Sequence, residues 1–85
     1  MPSPTKDEIR QTLQQIFRDV FDDESIVLTP QTTANDISGW DSLAQVKIIL
    51  ACERAFSIRL RPREINALEN VDEMTEHLKK VIDRT

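Results

Sequence analysis

Gly39-Trp40-Asp41-Ser42-Leu43-Ala44-Gln45-Val46-Lys47-Ile48-Ile49-Leu50-Ala51-Cys52-Glu53-Arg54-Ala55-Phe56 is the stretch on which the reading of this chain turns. Two short oxygen-bearing side chains, Asp41 and Ser42, stand directly before a strongly apolar run. Either can accept the free amides that open a helix, so a helix is predicted from Ser42 to Phe56. At about 100° per residue its apolar positions divide into two stripes. Ile49, Cys52 and Phe56 fall together, while Leu43, Val46 and Leu50 form a neighbouring stripe turned away from them. One stripe can enter a core while the other meets partners.

The segments on either side support a helical protein. Ile9, Leu13, Ile16, Phe17 and Val20 recur at three- and four-residue steps, and Thr5 followed by Glu8 has capping-box spacing, so a first helix begins at Thr5. Asp22-Asp23-Glu24 ends that periodicity. Residues up to Asp41 then mix Ile26, Leu28, Ile37 and Trp40 with Pro30 and Gly39, which predicts a long ordered loop anchored by its apolar residues. After the central helix, Ile58-Arg59-Leu60-Arg61 alternates like a strand. It has no pairing partner, so it is read as a connector that buries Ile58 and Leu60. Pro62 suits the first turn of a short third helix reaching about Leu68 and burying Ile65 and Leu68. Asn70 with Glu73 marks the cap of a last helix running to about Asp83, with Val71, Met74, Leu78, Val81 and Ile82 inward.

Composition agrees. The chain has 85 residues, 39% of them hydrophobic, with one glycine and no tyrosine, which suits one small all-α domain over residues 1–85 with the first four residues disordered. So small a core leaves little room for a catalytic cleft. The net charge of −4 does not indicate nucleic-acid binding. One cysteine and one histidine provide neither an intramolecular disulfide nor a zinc-finger ligand set, so no metal is expected. Met1 to Glu8 lacks the regions of a signal peptide, and no apolar run reaches the roughly 20 residues of a membrane span. The expectation is a soluble, cytoplasmic monomer.

The motif Asp41-Ser42-Leu43 in this setting resembles the attachment motif of the acyl carrier protein family. The resemblance continues through Val46, Ile48, Glu53, Phe56, Ile58 and Leu60, and includes the lead-in Ala34-Asn35-Asp36-Ile37. It spans roughly Ile9 to Ile82. A bare Asp-Ser-Leu tripeptide would signify no more than a helix cap, but chain length, helix order and the long first loop all agree with it. The resemblance implies a four-helix bundle with a long first loop and a short third helix. It also implies that a phosphopantetheinyl transferase moves 4'-phosphopantetheine from coenzyme A to the Ser42 hydroxyl, forming a phosphodiester. The reactive thiol is then the cofactor's, and the protein is a non-catalytic carrier of acyl groups held as thioesters. Its partners are the transferase and the acyl ligase, synthase or transferase enzymes of a pathway. Asp41, Leu43, Val46, Lys47, Leu50 and Ile65 are the partner-contact positions the resemblance suggests, with ordinary core packing the other reading of the aliphatic ones.

Other chemistry-bearing residues have plainer readings. No His or Lys adjoins Ser42 in sequence as a local base, so activation of the hydroxyl falls to the transferase. His77 reads as structural, Cys52 as a small core hydrophobe, and Trp40 as a loop anchor, a partner contact being its alternative. Two further functions remain open. An aminoacyl or peptidyl carrier uses the same serine and arm, and a helical interaction module would never be modified. Charge supplies a departure from the family, in which fatty-acid carriers have a markedly acidic second helix. Here residues 1–41 carry −5, residues 42–64 carry +3 and residues 65–85 carry −2. Lys47, Arg54, Arg59, Arg61 and Arg63 make the recognition region basic, which points to a dedicated carrier of a specialised pathway.

Overall fold

A computed structural model describes residues 4–84 of the chain. Four helices follow one another, α1 (Lys6–Phe21), α2 (Ser42–Phe56), α3 (Pro62–Asn66) and α4 (Val71–Arg84), with one 3-10 turn at Ala34–Asp36 and no strand among the described residues. The expected disorder of residues 1–4 falls, for residues 1–3, outside the described residues. The carbonyl of Pro4 accepts a bond from Lys79 Nζ at 3.1 Å.

The capping box of α1 forms as its spacing predicts: Thr5 Oγ1 accepts the Glu8 amide and Glu8 Oε1 accepts the Thr5 amide. The bond from the Thr5 amide first, and then the Thr5 hydroxyl, hold the Glu8 carboxyl below its ordinary range. Ile9, Leu13 and Phe17 of α1 are completely buried and meet Ile48 and Cys52 of α2 and Leu78 of α4, all equally hidden. Lys6 draws α1 to α4 at the surface by reaching Asp72 at 3.0 Å and Glu76 at 3.2 Å.

The long loop is ordered because its own backbone groups find partners. Gln14 Oε1 accepts the Leu28 amide, and the guanidinium of Arg18 donates to the Ile26 carbonyl. Leu28 enters the core, and Ile26, Ile37 and Trp40 pack against it half-buried, as anchors should. At its far side the loop caps α4, since the carbonyls of Thr32 and Pro30 accept the amides of Val71 and Asp72. Asn70 Oδ1 takes the Glu73 amide, while the Glu73 carboxylate accepts the Glu69 amide. Ile58 and Leu60 are buried in an extended connector, which fits the reading of that segment.

Two details differ from expectation. The third helix stops at Asn66 instead of Leu68, because the Leu68 amide turns back to the Ile65 carbonyl and residues 69 and 70 are engaged in the cap of α4. Val81 and Ile82 are half-buried only, as α4 runs past the end of the core.

Candidate functional site

Ser42 is the first residue of α2 and is exposed. Asp41 is the cap: its Oδ1 accepts the Ala44 amide at 2.9 Å and its carbonyl accepts the Gln45 amide at 2.9 Å. That cap orders the first turn and leaves the Ser42 hydroxyl without a hydrogen bond to the described residues. The approach to the cap is held from behind. Gly39 takes φ 85°, a left-handed conformation natural to glycine, and brings in Trp40. The indole stands edge-on to Phe17 with ring centroids 5.0 Å apart, and its Nε1 donates to Gln45 Oε1 at 2.6 Å. Trp40 thus ties the loop to both α1 and α2, which is the anchor role expected of it.

A groove of about 520 Å³ opens beside Ser42 between α2, α3 and the start of α4. Val46, Ile49, Ile65 and Met74 supply apolar walls, and Gln45 and Asn66 supply amides. An exposed hydroxyl at a helix N-terminus, where free amides and the helix dipole favour negative charge, suits a phosphate ester. A groove both apolar and amide-bearing suits a pantetheine arm, which alternates alkyl and amide groups. The residues present therefore fit the group.

The sequence-derived positions separate clearly. Leu43, Val46 and Leu50 are 64%, 52% and 52% exposed, so the second stripe of α2 does face outward, with exposed Lys47 beside it. Asp41 is engaged as a cap. Ile65, named with these positions and with core packing as its other reading, is 2% exposed and lines the groove where α3 packs against α2. Sequence reasoning put Ile48 in neither stripe, although it is completely buried, on the far side of Cys52 from the outward stripe, and it missed Gln45. The signal for Gln45 was a polar side chain at a helical angle between Cys52 and Ile49, on the inward side.

Neither remaining reactive group belongs to the site. Cys52 is fully enclosed, and burial, with a smaller effect from the Glu53 charge, pushes its thiol up to about 12. His77 Nε2 lies 3.2 Å from Glu64 Oε2 of α3 without the alignment of a hydrogen bond, and it does not line the groove. Among the described residues no cluster of His, Cys, Asp and Glu could hold a metal ion, and no helix is long and apolar enough to cross a membrane.

A capped helix that presents an exposed serine beside a groove is the arrangement a carrier of a covalent arm requires. Comparison with known proteins agrees: the family model described as "Phosphopantetheine attachment site" matches residues 11–78. A solution NMR structure of the holo acyl carrier protein from Geobacter metallireducens is similar at a TM-score of 0.80 and 39% identity, over 99% of this chain and 90% of that one. No curated protein gives a significant match. The chain belongs to the acyl carrier protein family, whose cofactor is covalently attached 4'-phosphopantetheine.

Proposed function

We propose that Ser42 is the attachment residue, and that residues 1–85 form one monomeric, non-catalytic carrier domain acting in the cytoplasm for a specialised biosynthetic pathway. The observation that carries this is the exposed Ser42 hydroxyl, free of hydrogen bonds to the described residues, at the capped start of α2 beside the groove. When bound, the arm supplies a terminal thiol on which acyl groups travel as thioesters. The chain's own part is to present and orient. Asp41 and the Trp40–Gln45 bond fix the first turn, and the first-turn amides favour the phosphate's charge. The groove walls supply apolar contact to whatever follows.

His77 does not line the groove beside Ser42, so the base that takes the Ser42 proton is supplied by the phosphopantetheinyl transferase. The exposed stripe of Leu43, Val46 and Leu50, with Lys47, is the surface offered to that transferase and to the ligase, synthase or acyltransferase enzymes that load and unload the carrier. Tethering raises the concentration of the acyl group at each of them. Incubation with coenzyme A, magnesium and a broad-specificity transferase, followed by intact-mass measurement, tests the proposal. The wild type should gain one phosphopantetheine and Ser42→Ala none. An unchanged wild-type mass, or equal gain by the variant, refutes it.

A further inference from the structure

We propose that the outward face of α2, with the start of α3, docks a partner protein whose own surface is acidic around an apolar centre; this rests on the carrier reading and names the kind of partner it serves. Leu43, Val46 and Leu50 form a continuous aliphatic stripe more than half exposed, beginning one residue after Ser42. Single exposed aliphatics on a small protein mean little, but a contiguous patch with a charged border is the form of an interaction site. Lys47 and Arg54, seven residues apart, lie along one edge of this stripe by helical spacing. Across the groove, Arg61 and Arg63 bracket Pro62, which lines it. All four cations are exposed.

The border is also electrically unspoken for. None of these four cations has an ion pair or hydrogen bond among the described residues, whereas Lys6, Arg10 and Lys79 each face a carboxylate and Arg18 is held by the Ile26 carbonyl. Neither carboxylate of the same region pairs with one of these cations. Glu53 Oε2 accepts the Leu60 amide at 2.9 Å, and Glu64 sits at His77. The region from 42 to 64 carries a net charge of +3 within a chain of net charge −4, and four of its five cations border the stripe and the groove unpaired.

Charge sign selects the occupant. A second copy of this face would set like charges against each other across the contact, which is costly. An anionic membrane or a nucleic acid would meet a chain that is −7 outside this region, and α2 has its other face locked in the core by Ile48 and Cys52, so it cannot sink into lipid. An acidic rim around an apolar patch satisfies both the stripe and the cations. It would also seat the partner with its active site beside Ser42.

The test uses protein loaded with phosphopantetheine and two synthetic amphipathic helical peptides, each with a leucine face, one rimmed by glutamates and the other by lysines. Amide chemical shifts are followed by NMR at low and high salt. The acidic peptide should shift Leu43, Val46, Lys47, Leu50 and Arg54, and bind about tenfold or more tightly than the basic one at low salt. The double variant Lys47→Glu, Arg54→Glu should lose that preference, and Lys47→Gln, Arg54→Gln should lose part of it. Equal binding of the two peptides, shifts centred away from α2, or tighter association with phosphatidylglycerol vesicles than with the acidic peptide overturns the inference. Loading is scored separately by mass. Failure to load Ser42 sinks the carrier reading, while normal loading without acidic preference sinks the docking surface alone.

Discussion

Truncating Ile48 and Leu50 in turn probes the division of α2 on which the functional reading depends. The two side chains have similar size and lie two residues apart, yet Ile48 is 0% and Leu50 52% exposed. Ile48→Ala removes a wholly enclosed side chain next to Leu13 and Cys52 in a core too small to refill the space, so it should cost about 3 kcal/mol, within the range for buried aliphatic truncation. Leu50→Ala gives up only the half of its surface already withdrawn from water, about 1 kcal/mol or less. A protein of this length has roughly 4–13 kcal/mol of stability in all, so the first change consumes a large part of it. At roughly 4–8 °C per kcal/mol for a domain of this size, Tm should fall by about 12 °C or more for Ile48→Ala and by no more than about 8 °C for Leu50→Ala. Urea unfolding followed by circular dichroism measures both, with equal slopes required before midpoints are compared. If Leu50→Ala costs as much as Ile48→Ala, the outward stripe is core and the proposed docking face does not exist.

Replacing the cap separates geometry from charge at the site. Asp41→Ala should lose about 1 kcal/mol and slow loading of Ser42, while Asp41→Asn, which still accepts the Ala44 amide, should keep most of the stability; loading rates by mass and thermal melts check the pair. Cys52 makes a pH prediction. Its thiol is raised from 9.0 to about 12 in the fold, so the folded protein retains a proton that the unfolded chain releases. That contribution is fully present below about pH 9 and is lost as pH rises toward 12, so stability should decline across that window in wild type and less in Cys52→Ala. Iodoacetamide at pH 8 should leave Cys52 unmodified until urea is added, and ready alkylation of the native protein would contradict its burial.

How much of this was visible beforehand follows from which signals are local. The starts of α1 and α2 were legible, because capping is chemistry between residues three apart: Thr5 with Glu8, Asp41 with Ala44. The two stripes of α2 were legible from angle alone. The extent of α3 was not, since the Leu68 amide chooses between continuing a helix and closing on Ile65 only when α4 engages Glu69 and Asn70. Gln45 was passed over because its partner, the Trp40 indole, is placed by a ring contact with Phe17, far away in the chain.

Periodicity and caps thus determined by themselves that the protein is helical, where its second helix starts and that Ser42 stands there, and a charge count that residues 42–64 are basic. These properties depend on neighbours within one or two turns. Tertiary structure alone decided that Ile65 is a groove wall, that loop carbonyls at Pro30 and Thr32 cap α4, and that the cations beside the aliphatic stripe are left unpaired. Each of those depends on which distant groups packing brings within a few ångströms, and a linear pattern of residues does not contain that information.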